Sequence, residues 1–393
     1  MMTPSCERPS GPVPLIDRRI RSRLGEAHSL EIVSCPRTIE SIGSSGGNLI
    51  ASNGAKSSPT FFIASLWGHW KPKVVVFRRR NQICAIVYGK ERKLFGISTG
   101  IIYIDSGISS KVFARDRDFT PVLMEAIREL LRSRRIRGVR VTLPAESSDL
   151  VELRENAVRL GLDYDQTAAP RHRILPLGTT YESFLKSIGL KTRRHIRYYR
   201  RRYEADGHEY VENVSVADFL KAASDLMRDE IVGANQELVQ RAAALSRLAE
   251  KPLLVGLRAA DGKWLSVLAG WYEGGRAIVF LQANSDQRHS HYSLSSVLRS
   301  YLIESLIPRG ITEIVFWGGV EGPLKRHSLP APSTYVSLDK RDLVWKLFRG
   351  TLKQLSRVLP PGISERFCWI IPSRAQPPEP IRNRDYPMVE DPA

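Results

Sequence analysis

Cysteine is scarce in this chain of 393 residues. Cys6, Cys35, Cys84 and Cys368 are the four, and no two have a Cys-x-x-Cys or metal-ligand spacing. That argues against a disulfide-stapled scaffold or a zinc module and suits thiols kept reduced. Long hydrophobic runs are missing too. Stretches such as Ala277 to Leu281 are strand-sized, far short of the roughly 20 residues a membrane span needs. Ser5, Cys6, Glu7 and Arg8 break any apolar region at the N-terminus, so no secretory leader and a cytoplasmic location are expected. Acidic residues are the third shortage: 41 Asp and Glu face 59 Lys and Arg, a formal net charge of +18. Such a surplus attracts anions without choosing among nucleic acid, anionic lipid and a phosphate-bearing ligand.

What is present is an ordinary globular composition, 42% hydrophobic and 25% charged, long enough for two or three domains. One order of elements occurs twice. Val74 to Phe77, Ile83 to Tyr88 and Phe95 to Ile104 read as strands, followed by a helix from Pro121 to Ser133 and a strand from Val139 to Leu143. Later, Leu253 to Leu257, Trp264 to Trp271 and Arg276 to Ala283 read as strands. Asp261-Gly262 and Gly274-Gly275 supply their hairpin turns, since glycine tolerates positive φ. A helix from Ser293 to Leu306 and a strand from Ile311 to Phe316 complete the second set.

At an offset of 175 the two sets align: Leu123 on Leu298, Ile127 on Leu302, Leu131 on Leu306, Ile136 on Ile311, Val139 on Ile314 and Val141 on Phe316. These positions are one helix face followed by one strand face, which favours a tandem duplication. Between the sets, Ser147 to Leu162 reads as a helix and Arg171 to Pro176 as a strand. Thr179-x-x-Glu182 has capping-box spacing, so the domain boundary is drawn near residue 178. The expected plan is 1–58 mostly disordered with a strand or turn near Leu30, domains at 59–178 and 179–371, and a Pro-rich disordered tail at 372–393. Leu343, Val344, Leu347, Phe348, Leu352 and Leu355 mark an amphipathic helix near the end of the second domain.

The segment from Thr180 to Gly207 reads as one basic helix, with eight Lys or Arg and no acid between Lys186 and Arg202. A solvated face, a polyanion or membrane contact, and a contribution to an anionic ligand site all remain open for it. His289-x-His291 has no third ligand in view, so no metal site is expected.

In sequence the second half resembles the GNAT acyltransferases, in their CelD-like and FemAB-like branch. The likeness lies in the run Phe184 to Arg197, the three-strand meander Leu253 to Ala283, Asp286 and Tyr292-Ser293, then Gly310-Ile311, and Pro323-Leu324-Lys325-Arg326. It spans about residues 179 to 330, and no single motif is specific; their order is. The family's Asp and Arg are missing from Phe316 to Gly322. Ser295 stands where a glycine is usual, and Leu324 where an aromatic is.

The resemblance implies an α+β chain of two tandem GNAT-like domains, each a mixed, mostly antiparallel sheet flanked by helices. It implies acetyl-CoA or another acyl-CoA as co-substrate, an amine acceptor on a sugar or polysaccharide precursor, and an acyltransferase activity. The cofactor pyrophosphate would meet unpaired N–H groups of Ser293, Leu294, Ser295 and Ser296 at a helix start. A strand N–H near Gln282 would hold the oxyanion. Glu230, Asp286 and His291 are candidate bases, and Tyr292 a candidate proton donor. Lys325, Arg326, Arg193 and Arg197 are candidates for holding an anionic substrate group. Two alternatives stay open: a FemAB-like aminoacyl-tRNA-dependent transferase, and a degenerate scaffold that binds nucleic acid or an anionic surface.

Overall fold

The computed structural model describes residues 29–45, 58–66, 68–80, 82–94, 96–104, 112–114, 119–168, 172–227, 234–285, 291–317, 320, 322–341 and 351. They form two units. The first takes the chain up to Thr167 together with Arg247–Glu250 and a returning segment from Ser333. The second takes Ala168–Ser246 and Lys251–Pro332. No described helix is long and apolar enough to cross a membrane.

In the first unit the strands are β1 (Ser29–Val33), β2 (Trp70–Arg79), β3 (Gln82–Leu94), β4 (Ile97–Ile104), β5 (Val112–Ala114), β6 (Gly138–Pro144), β7 (Leu162–Ala168) and β15 (Ser333–Lys340). They lie in the order β1-β2-β3-β4-β6-β15-β7, with β5 on β3. β4 and β6 run parallel, and the crossover between them includes α3 (Phe119–Arg132). The α3 residues Leu123, Ile127 and Leu130 are buried with Val75, Val87, Ile102, Val139 and Val141, and Leu153 of α4 (Asp149–Arg159) joins them. The alternate residues Val74, Val76, Ile86 and Tyr88 bury the other face with Ile39 of α1 (Pro36–Ser45) and Phe62 of α2 (Pro59–Ala64). Burial on both faces is why Val74 to Phe77 reads as an unbroken apolar run.

The second unit has β8 (His172–Pro176), β9 (Glu209–Glu212), β10 (Pro252–Arg258), β11 (Trp264–Glu273), β12 (Arg276–Asn284), β13 (Glu313–Trp317) and β14 (Leu329–Pro330). Their order is β14-β8-β13-β12-β11-β10-β9. Gly274 and Gly275, at φ 52° and 77°, make the two-residue hairpin turn between β11 and β12. The helices are α5 (Tyr181–Ser187), α6 (Leu190–Ala205), α7 (Val216–Leu226), α8 (Ala234–Leu248) and α9 (Leu294–Leu306). α9 leads into β13, which runs parallel to β12, as α3 leads into β6 beside β4. Leu298, Leu302, Leu306, Ile314 and Phe316 are all buried in this unit's core, as their repeat partners are in the first. The chain is α+β, with two mixed, mostly antiparallel sheets, each flanked by helices.

Several boundaries differ from the sequence reading. The strand or turn expected near Leu30 is β1, which pairs in full register with β2, while Pro36–Ser45, expected to be disordered, forms α1 with Ile39 buried. The sheets do not divide the chain at 178 and 371. β8 precedes residue 178 yet pairs with β13, and β15 returns to the first unit, where Ser333 to Asp339 pair with β6. Thr179 and Glu182 do not cap α5. Thr180, in extended backbone, accepts from the Ser183 N–H at 3.0 Å, and Ser183 Oγ accepts the Thr180 N–H at 3.0 Å. The basic segment is two helices, because Ile188 is extended at ψ 149° and buries its side chain before α6 starts after Gly189. The apolar positions Leu343, Val344, Leu347, Phe348, Leu352 and Leu355 of the expected amphipathic helix, and the Pro-rich tail, lie outside the described residues.

Candidate functional site

β12 pairs with β13 only over Arg276–Val279 against Glu313–Phe316. β13 then ends at Trp317, while β12 continues to Asn284. The separation begins at a bulge. On the β11 side, Ala269 faces Leu281 and Gly270 faces Val279, which leaves Phe280 as the extra residue. A bulge bends its strand and shifts the side-chain alternation by one. Ala277 and Val279 therefore face the helical core before it, and Gln282 and Asn284 face α9 after it. Gly270 permits this approach: a Cβ there would sit 1.9 Å from the Ile278 carbonyl oxygen.

The first turns of α9 reach the opening. Asn284 Nδ2 donates to Ser295 Oγ at 3.0 Å, and Asn284 Oδ1 accepts from Ser266 Oγ at 2.7 Å and Gln282 Nε2 at 3.0 Å. Arg299 Nε donates to Gln282 Oε1 at 2.9 Å, and its guanidinium lies 5.2 Å from the Phe316 ring centroid. Arg299 thus spans from β12 to β13. Ser293 precedes α9 with left-handed backbone and no side-chain capping bond. As at any helix start, the N–H groups of Leu294 and Ser295 have no partner within the helix.

α6 packs on α9. From it, His195 Nε2 lies 3.1 Å from Ser293 Oγ and 3.4 Å from Ser296 Oγ. Burial, then the charge of Lys191, holds this imidazole below its ordinary pKa. Tyr292 is buried, and its hydroxyl donates to Asp206 Oδ2 at 2.5 Å at the end of α6. That bond, then burial, raises the phenol pKa.

Gln282, Ser293, Leu294, Ser295 and Ser296 therefore converge on one opening. The other sequence candidates are spread around it. His291 is exposed, its ring 4.0 Å from that of Tyr292. Glu230 and Asp286 lie outside the described residues. Lys325 and Arg326 are exposed on the short 3-10 turn Pro323–His327. Arg173 braces that turn, donating to Ser328 Oγ at 2.8 Å and to the Lys325 carbonyl at 2.9 Å. His327 Nε2 lies 3.2 Å from Thr192 Oγ1, so the turn rests on the first turn of α6, the helix carrying Arg193 and Arg197. Arg197 is engaged by Glu182 at 3.0 Å.

Sequence reasoning missed Ser266, Asn284, Arg299 and His195. For His195 a signal existed: it lies four residues before Tyr199, on the stripe of Ile196 and Tyr203 that α6 buries.

Residues 191–326 match the family model described as the acetyltransferase (GNAT) domain. That stretch lies in the second unit apart from Arg247–Glu250. The matched segment runs from the first turn of α6 to the Pro323–His327 turn, so it contains the whole opening. No curated protein matches the sequence. Among solved structures, the chain is similar to FemX, at 10% identity over 78% of this chain and 96% of that one, with a TM-score of 0.49. L-PGS from Bacillus licheniformis is 13% identical over 80% of this chain and 95% of that one, at 0.49. A tandem GNAT protein from the clavulanic acid biosynthesis pathway is 10% identical over 79% and 98%, at 0.44.

Proposed function

We propose that the GNAT domain transfers an acyl group from an acyl-CoA to an amine, on a sugar or polysaccharide precursor. The observation that carries this is the bulge-driven opening between β12 and β13 with the first turn of α9 set against it. The N–H groups of Leu294 and Ser295, with the hydroxyls of Ser293, Ser295 and Ser296, suit a pyrophosphate. The strand edge that β13 leaves past Val279 offers a backbone N–H near Gln282 to a tetrahedral oxyanion, an interaction worth about 10²-fold or more in rate. In the reaction the amine nitrogen bonds the thioester carbon, the C–S bond breaks, and the amine's proton passes to a base. Glu230, Asp286 and His291 stay the candidates for that base. Tyr292 stays a candidate donor to the thiolate, once its hydroxyl leaves Asp206.

Acetyl-CoA binding by calorimetry tests the reading. Ser295→Asp places a carboxylate against the pyrophosphate; two such charges about 4 Å apart repel by about 4 kcal/mol at an effective dielectric near 20, roughly a thousandfold in affinity. Micromolar binding to wild type that the substitution abolishes is the expected outcome. Absent binding, or binding indifferent to the substitution, removes the proposal.

The exposed Lys191, Arg194 and Arg201 on α6 favour a second reading, an aminoacyl-tRNA-dependent transfer or a polyanion-binding scaffold. Salt-steep tRNA binding without acetyl-CoA binding would select it.

A further inference from the structure

A serine just before a helix ordinarily turns its hydroxyl back to cap the first N–H groups. Ser293 does not. Its backbone stands at φ 50° and ψ 53°, and its hydroxyl instead donates to Ser296 Oγ at 3.0 Å. Both hydroxyls meet one imidazole nitrogen, His195 Nε2, at 3.1 and 3.4 Å. A titratable ring from α6 therefore stands beside the first turn of α9, where the pyrophosphate is placed above.

The surroundings of His195 set its charge. On its own helix it faces Lys191 and Tyr199, whose ring centroid is 4.5 Å away. From α9 it faces the two hydroxyls. Tyr292 turns its own hydroxyl away to Asp206, and His327 of the neighbouring turn is bonded to Thr192. Half-burial and Lys191 favour the neutral ring in the empty site. A neutral imidazole has one N–H; an imidazolium donates from both nitrogens. An entering pyrophosphate offsets Lys191 and rewards a proton on Nε2.

We propose that His195 is a proton-dependent ligand of the cofactor's pyrophosphate, taking up one proton as the phosphate displaces the Ser293 and Ser296 hydroxyls from Nε2. The inference rests on the acyl-CoA reading of α9.

The sign follows from linkage. A ligand that raises a group's pKa binds more tightly to its protonated form. Affinity therefore falls by up to about tenfold per pH unit as pH rises from the empty-site pKa to the complexed one, and is level outside that window.

The test uses dephospho-CoA and the full chain, with calorimetry from about pH 5.5 to 8.5, across the ordinary imidazole range. This probe keeps the pyrophosphate, whose charge is constant there, and lacks the 3′-phosphate, which would titrate. Wild type is expected to weaken with rising pH and to take up close to one proton, read from two buffers of different ionisation enthalpy. His195→Gln is expected to bind with level affinity and no uptake, and pantetheine, which has no phosphate, to bind wild type independently of pH. The imidazole C–H resonance of His195, followed by NMR with and without the probe, gives its pKa directly and needs no variant. Level binding without proton uptake in wild type, or pH dependence that persists in His195→Gln, overturns the proposal and leaves the acyl-CoA reading standing. No dephospho-CoA or acetyl-CoA binding at any pH overturns both.

Discussion

Asp339→Ala, far from the opening, is the perturbation whose cost is best defined by the structure. Arg140 of β6 and Asp339 of β15 form an ion pair at 2.8 Å with side chains 1% and 3% exposed. The same guanidinium nitrogen donates to the Val139 carbonyl at 3.2 Å. Gly138 makes room for the carboxylate, since a Cβ at that position would come within 2.1 Å of Asp339 Oδ1. Burial pulls the Arg140 pKa down, and Asp339 together with Tyr335 and Tyr103 turns the net shift upward. Deleting the carboxylate leaves a buried cation uncompensated, which costs about 3–5 kcal/mol. A domain has only about 5–15 kcal/mol in total, so the first unit loses about a fifth or more of its stability. Replacing both partners, Arg140→Met with Asp339→Leu, removes the stranded charge and is expected to cost much less. Native-state hydrogen exchange on the peptide covering residues 138–144 reads the first unit without interference from the second. A loss within about 1 kcal/mol for Asp339→Ala, or additive single and double substitutions, refutes the reasoning.

Two further expectations follow from the second unit. Gly270→Ala drives a methyl into the Ile278 carbonyl at the bulge; it is expected to cost about 2–3 kcal/mol in urea unfolding and to weaken acetyl-CoA binding, whereas wild-type behaviour would place the bulge elsewhere. Tyr292→Phe removes the bond to exposed Asp206; it is expected to cost about 1 kcal/mol with acetyl-CoA affinity unchanged, while a hundredfold fall in turnover would assign the hydroxyl to proton donation.

Much of the tandem plan was legible because helix and strand periodicity survive duplication. Leu123 and Leu298, or Val141 and Phe316, carry the same burial in both halves. Tyr292-Ser293, the pair that carries the family resemblance, stands at the start of α9 beside the opening. The cause of the opening was not legible. Phe280 sits inside the uniform apolar run Ala277 to Leu281, and a bulge in such a run leaves no mark on the alternation. His195 was hidden among basic neighbours, where the eye follows charge and passes over the buried stripe. β15 was obscure for a different reason. Its partner strand β6 is distant in sequence, so pairing decides its state and local propensity does not.

β15 also orders events during synthesis. It lies between β6 and β7, two strands that are separated in the sheet by one strand's width on each side, about 9.6 Å in all. After β7 emerges, the ribosome must still make everything up to Ser333, which at about 5–20 residues per second takes roughly ten to thirty seconds. Throughout that interval the edge of β6 stays unpaired and β7, whose sheet neighbour is β15, has no strand to join; the open β6 edge is a template for any passing extended chain. A transcript truncated before Ser333 would yield a first unit that keeps the β6 edge open and β7 unattached for good.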